Sequence, residues 1–415
     1  VDIYRRRVID TVLDDVQPSL RAVVLQGAKG VGKTATASRR ARTVIRLDRE
    51  VERTTFAAQP EMLAELPGPV LVDEWQRWPE SWDVVRRAVD DGSPRGRLLL
   101  AGSSAPRGAT VHSGAGRIVP FRMRPLSLVE RGVAEPTVSL AALLRGGATI
   151  TGDSGLRLTD YADQIVATGF PGIYDEPAQT RPALIDAYLE NIVQREFPEQ
   201  GYPVRKPQVL AAWLAGYAAA TSTTTQYSRI LDAATPGEVN KPARTTTLVY
   251  RDVLSGLWVL DPLPAWLPTR NEFDRLASTP KHQLADPGLA ARLLRASAAS
   301  LVRGRRDHLL GPLFEHLVAM CVQVYALASG AAVSHLRTRN GDHEVDVVVE
   351  GPEGSVVAIE VKLTPTPSEA DLRHLKWLRQ RLGDDLADAV VVTTGPRAYR
   401  RPDGIAVVPA ALLGP

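Results

Sequence analysis

One short stretch constrains the fold more than anything else in these 415 residues: an apolar run, a glycine-rich turn and a helix in immediate succession. Residues 21–26 read as a buried strand and residues 34–42 as a helix. Between them, Gly27-Ala28-Lys29-Gly30-Val31-Gly32-Lys33-Thr34 fits G-x-x-x-x-G-K-[ST]. Such a turn wraps main-chain N–H groups around phosphate oxygens, and the helix N-terminus adds partial positive charge. Gly27, Gly30 and Gly32 permit the curl. Lys33 would reach the β- and γ-phosphates, and the Thr34 hydroxyl would ligate Mg²⁺. The basic residues are nearly all Arg. Two of only seven Lys, at 29 and 33, fall in this turn.

Further strands follow at 43–47, 70–73, 97–101 and 118–122, with a helix over 82–91. Strands alternating with helices predict a parallel, doubly wound α/β sheet. The third strand ends in Asp73-Glu74. Asp73 would hold Mg²⁺ through water and Glu74 would polarise the attacking water. The fourth ends in Gly102-Ser103-Ser104, where Ser103 or Ser104 would sense the γ-phosphate. Arg117 would stabilise transition-state charge, in its own site or a neighbour's, unless it is simply a solvated arginine. No Asn-Lys-x-Asp guanine-reading motif follows, so ATP is the expected nucleotide.

Beyond residue 126 the pattern becomes helical, with a break at Gly169-Phe170-Pro171-Gly172. Helices at 209–220, 226–234 and 243–256, then a hairpin-like stretch at 257–267, would make a winged helix. Its Lys241, Arg244 and Arg251 would face DNA. A plain helical spacer fits the same pattern. From about residue 308 a helix, three strands, a helix and a strand form a small second α/β module. There Asp346 lies on one strand, and Glu360 and Lys362 lie on one face of the next. With Glu315 on the preceding helix, these are the residue types of a PD-(D/E)xK nuclease centre. In such a centre carboxylates hold Mg²⁺ or Mn²⁺ and the lysine helps activate water.

In sum the chain resembles the prokaryotic AAA-type ATPases that carry a DUF4143 C-terminal region. The resemblance rests on the glycine turn, on Asp73-Glu74-Trp75-Gln76 with Trp78-Pro79, and on Gly102-Ser103-Ser104. It continues through Gly116-Arg117, Pro125-Leu126-Ser127, Gly169-Phe170-Pro171, Pro280-Lys281 and Asp286-Pro287-Gly288-Leu289. It ends on Glu344-Val345-Asp346 and Glu360-Val361-Lys362. The turn departs from relatives at Ala28-Lys29-Gly30, and Arg195-Glu196 stands where many have Arg-Asp. The resemblance implies an ATPase core, a winged-helix-like middle and a restriction-endonuclease-like end. The expected division is 1–130 for the AAA-type domain, 131–204 for a helical lid or linker, 205–300 for the winged-helix-like part and 301–415 for the nuclease-like part. The expected function is ATP hydrolysis directed at DNA, with Mg²⁺ at the first site and Mg²⁺ or Mn²⁺ at Glu315, Asp346 and Glu360. The alternative is an ATP-dependent switch or scaffold whose C-terminal fold is catalytically silent and binds a partner. Cys321 is the one cysteine, which leaves no internal disulfide or cysteine-based zinc cluster. With no run of 18 uninterrupted apolar residues and no leader pattern, the expected setting is cytoplasmic, without a membrane partner. A homo-oligomer stays open.

Overall fold

The computed structural model describes residues 4–103, 114–204, 206–234, 244–267, 279–338 and 341–415; Ser104, Lys241 and the Arg244 side chain lie outside them. The first sheet contains β1 (Ala22–Gln26), β2 (Thr43–Arg46), β3 (Val70–Asp73), β4 (Leu98–Gly102) and β5 (Ile118–Arg122). Their order is β2-β3-β4-β1-β5, and every pairing is parallel. All strand C-termini therefore lie along one edge. Strand β1, flanked by β4 and β5, delivers the glycine turn to that edge.

Both faces of this sheet are buried, which explains why its strands are apolar throughout. Ala22, Val24, Val70, Val72, Leu98 and Leu100 face one way, against Phe56, Leu63, Trp75 and Val85. Val23, Leu25, Leu71, Leu99 and Ala101 face the other. That second face joins a core continuing without interruption into the helical middle and the helix Leu310–Ala326. The parts of the chain thus share one interior.

The middle is helical, with Leu158–Val166 and Arg181–Asn191 in the stretch read only as mainly helical, and Pro207–Ala219, Tyr227–Ala234 and Arg244–Gly256 close to where the periodicity puts them. The break at Gly169 separates the helix ending at Val166 from the short turn Pro171–Tyr174. The hairpin expected over 257–267 does not pair with itself. Leu260 bridges Leu284, Leu263 bridges Lys281 and Ala265 bridges His335. The stretch is a seam between middle and C-terminal parts.

β6 (Val138–Ser139) pairs with the chain's last strand. The C-terminal sheet comprises β7 (Ala332–Arg337), β8 (Glu344–Glu350), β9 (Val356–Lys362), β10 (Leu386–Thr393), β11 (Tyr399–Arg400) and β12 (Ala406–Pro409); β13 (Leu413–Gly414) is β6's partner. The sheet order is β11-β12-β10-β9-β8-β7. β9, β10 and β12 run parallel, while β7, β8 and β11 pair antiparallel. Residues 307–329 are long and apolar enough to cross a membrane, yet 78% of their most apolar window is buried inside the protein. They make up the core helix of the C-terminal half.

Candidate functional site

The glycine turn closes over main chain. Gly27 has φ +151°, and a Cβ there would lie 2.1 Å from the Met123 carbonyl oxygen, so no side chain fits. Gly30 and Gly32 also occupy the left-handed region, at φ +82° and +97°. The Lys33 ammonium donates to the Gly27 and Ala28 carbonyls at 2.9 and 2.8 Å. Burial pulls it down to about 8, against the opposing pull of Glu74 and Asp73. The Thr34 hydroxyl donates to Asp73 Oδ1 at 3.0 Å. Burial raises the Asp73 carboxyl above its usual range, and the Glu74 charge adds to this. A hydroxyl and a carboxylate in contact, at the start of the helix that follows the glycine turn, form a hard-oxygen donor set that suits Mg²⁺ with a triphosphate.

Glu74 is held at φ +52°, left-handed for a non-glycine residue. A conformation of that kind costs on the order of 1 kcal/mol and persists where the surroundings enforce it. The partner enforcing it is Gln76, whose Nε2 donates to Glu74 Oε2 at 2.5 Å and to Ser103 Oγ at 3.3 Å. One amide thus ties the two strand-end residues expected to handle water and γ-phosphate. Gly102 is required beneath it, since a Cβ would come within 2.5 Å of Gln76 Oε1. Gln76 had no role in the residue-level reading; its place in Asp-Glu-Trp-Gln was the available signal.

Arg117 does not belong to this edge. It precedes Ile118, which pairs with Ala22 at the start of β1, whereas the turn follows Gln26. A five-residue strand, about 13 Å, separates the two. Arg117 instead pairs with Asp90 at 2.5 Å on the surface. In this arrangement Arg117 does not face the glycine turn of its own chain.

The N-terminal segment and the middle close around the turn. Buried Arg7 donates to the Val31 carbonyl at 2.8 Å and the Arg124 carbonyl at 2.6 Å, and pairs with Glu130 at 3.0 Å. Lys29 pairs with Glu196 at 2.5 Å, and the Tyr188 hydroxyl donates to the Lys29 carbonyl at 3.1 Å. Glu196 ends a π-helical turn, Ile192–Glu196, a geometry frequent at functional sites. The Phe170 ring lies tilted against Tyr188, centroids 4.8 Å apart, and 3.6 Å from where a Gly30 Cβ would stand. Behind it, buried Asp286 accepts from Thr168 Oγ1, Gly169 N and Gly288 N, each at 2.7 Å. The sequence blocks Gly169-Phe170-Pro171 and Asp286-Pro287-Gly288 therefore meet as one structure.

The C-terminal residues also converge, but on a different cation. Asp346 and Glu360 lie on facing strands, and Asp346 Oδ2 accepts from Val361 N at 2.9 Å. Lys362 pairs with Glu360 at 2.8 Å. Glu315 arrives from the core helix. At the centre stands the Lys281 ammonium, 2.8 Å from Glu315, 3.0 Å from Glu344 and 3.0 Å from Asp346, with its side chain 1% exposed. Burial, then the neighbouring Asp346 charge, pushes Glu315 up to about 8. The same two causes push Glu360 up to about 8. The charges of Asp346, Glu315 and Glu344 raise Lys281 despite burial. Among the described residues no group of three or more His, Cys, Asp or Glu could hold a metal ion. This arrangement lends no support to the expectation that Glu315, Asp346 and Glu360 ligate Mg²⁺ or Mn²⁺. Sequence distance hid this, because Lys281 lies 65 residues before Asp346.

A parallel sheet in this order, with a glycine turn after β1 and Asp-Glu after β3, one strand over across β4, defines a P-loop nucleotide-binding domain. Three family models match in succession: an AAA domain over residues 19–131, a domain of unknown function (DUF8612) over 158–300 and a domain of unknown function (DUF4143) over 310–413. The chain carries an AAA-type P-loop ATPase domain followed by DUF8612 and DUF4143 regions. Two uncharacterized mycobacterial proteins, Mb2031c of Mycobacterium bovis and Rv2008c of Mycobacterium tuberculosis, are each 27% identical to it over 398 residues. These alignments span 94% of this chain and 80% of each relative. Among solved structures, the Walker-type ATPase PABY2304 of Pyrococcus abyssi is 14% identical, with TM-score 0.40, over 71% of this chain and 96% of its own.

Proposed function

We propose that the chain hydrolyses ATP with Mg²⁺ at the N-terminal edge and uses the cycle as a switch on its middle and C-terminal parts. The observation that carries the switch is the Lys29–Glu196 clasp with Tyr188 and Phe170. The turn that would grip phosphate is already gripped by the middle of the chain. When bound, ATP supplies the scissile phosphoanhydride and Mg²⁺ supplies charge neutralisation. N–H groups of residues 27–34 would hold the β- and γ-phosphates. Lys33 would exchange its two carbonyl partners for phosphate oxygens. Thr34 and Asp73 would hold Mg²⁺, Glu74 would polarise water and Ser103 would hydrogen-bond near the γ-phosphate.

The order of helices in the middle supports DNA as the partner whose binding the switch controls. Nucleotide-dependent DNA mobility shifts that weaken steeply with salt test this. The ATPase itself is tested by phosphate release from the wild type, Lys33→Ala and Glu74→Gln. Lys33→Ala should lose nucleotide affinity. Glu74→Gln should retain it while turnover falls by about 100-fold. Equal turnover in all three would refute the assignment.

A further inference from the structure

We propose that Lys281 is the resident cation of the C-terminal cluster, occupying the place of a divalent metal, so that the wild-type protein takes up none there. This goes beyond the ATPase and does not depend on it.

The geometry is complete without metal. An ammonium has three donors: Lys281 donates to Glu315 Oε1 at 2.8 Å and to Asp346 Oδ1 at 3.0 Å, and pairs with a third carboxylate, Glu344 Oε1, at 3.0 Å. These come from the core helix and from β8, whose register continues to set Asp346 opposite Glu360. A divalent ion needs about six oxygens, usually including several waters. Here the ammonium itself stands between the carboxylates, its side chain 1% exposed, in the position a metal would take. Glu360 Oε2 is the atom left over, buried with no hydrogen-bond partner. It is the oxygen a metal would recruit, and the short reach of the ammonium leaves it unused.

Lys281 is also fixed from behind. Lys281 N donates to the Leu263 carbonyl and Leu263 N donates to the Lys281 carbonyl, both at 2.9 Å. The next residue, His282, holds the Thr225 carbonyl at 2.6 Å through Nε2 and accepts from Ser222 N at 2.8 Å. The cation is therefore delivered by the middle of the chain into a cluster built by its end. Withdrawing it would leave three carboxylates facing one another.

The test uses the full chain without nucleotide and with Asp73→Asn, so that the P-loop cannot contribute. Mn²⁺ alone is the probe, read by electron paramagnetic resonance and by thermal melting. The Lys281-containing protein should bind no Mn²⁺ at this cluster. Its melting temperature should stay within about 1 °C between EDTA and ~1 mM Mn²⁺, as linkage requires when nothing binds. Lys281→Met should melt lower and recover with Mn²⁺, gaining one bound ion that a further Asp346→Asn change removes. One Mn²⁺ bound by the Lys281-containing protein and lost with Asp346→Asn would overturn the proposal. So would a folded Lys281→Met that gains none. If Lys281→Met does not fold, the melting and Mn²⁺ titration of the Lys281-containing protein with and without Asp346→Asn still decide the matter.

Discussion

ATP affinity should fall as pH rises through about 8, because Lys33 must be charged to hold phosphate and burial opposes that charge. In the protein without nucleotide, Lys33 is drawn from its ordinary 10.5 to about 8. At pH 7 roughly nine in ten molecules carry the ammonium; at pH 9 roughly one in ten does. Phosphate oxygens favour the charged form, so binding above pH 8 must take up the missing proton. The dissociation constant should therefore rise about tenfold between pH 7 and pH 9, or ~1.4 kcal/mol. Isothermal calorimetry at fixed Mg²⁺, in two buffers of different ionisation heat, measures both quantities. Proton uptake should be near half a proton per ATP when pH equals the Lys33 value. A dissociation constant flat from pH 7 to 9.5, with no buffer-dependent heat, would refute the reasoning. It would mean that the ammonium is well solvated or that another cation grips the phosphates.

The same burial makes Lys33 a burden on folding when no nucleotide is bound. Its folded value lies below its unfolded one, so its contribution to stability rises with pH between about 8 and 10.5. Lys33→Met at pH 7 relieves ~3 kcal/mol of buried charge and forfeits two hydrogen bonds of ~1 kcal/mol each. Differential scanning calorimetry should show the nucleotide-free variant melting about 1 °C higher, not lower. Gln76→Ala frees Glu74 and Ser103, so turnover should fall by about tenfold or more with KM little changed; steady-state kinetics distinguish this from lost binding. Asp286→Ala removes acceptors for three buried donors and leaves Arg131 facing no carboxylate. It should cost ~3–5 kcal/mol in urea unfolding.

The P-loop and its strands were legible because their chemistry is local. Residues 22–34 carry a strand, the turn and its lysine within thirteen positions, and hydrophobic period did the rest. Glu74 and Asp73 were equally readable as the end of an apolar strand. Arg117 was left open between its own site, a neighbour's and a solvated surface, and the register of β5 on β1 sets it at the strand edge away from its own glycine turn. The stretch 257–267 has the alternation of a hairpin, but its partners are 18 or more residues away, and pairing at that range leaves no local mark. In the C-terminal cluster the expected carboxylates and Lys362 do meet, together with a lysine that the residue-level reading did not include. A carboxylate set looks the same in sequence whether a metal or a lysine neutralises it, and Lys281 arrives from a separate segment.

The path between the two charged sites indicates which part can move. Residues 281–288 reach the carboxylate cluster at Lys281 and the roof of the P-loop at Asp286, and both ends are buried and fully engaged. Moving either strands charge in the interior, at several kcal/mol. The Lys29–Glu196 contact is different. Lys29 is 52% exposed and Glu196 12%, so the pair contributes on the order of 1 kcal/mol or less. Phosphate arriving at the turn competes for Lys29 and repels Glu196, a differential interaction large enough to break so weak a link. The π-helical turn Ile192–Glu196 and the segment Phe197–Glu199, tied back to Arg77 at 3.4 Å, should then shift. Hydrogen exchange with and without a non-hydrolysable ATP analogue reads this directly. Protection should change over residues 188–200 and stay constant over 281–288; the opposite pattern would make the buried strap the moving part and the clasp a bystander.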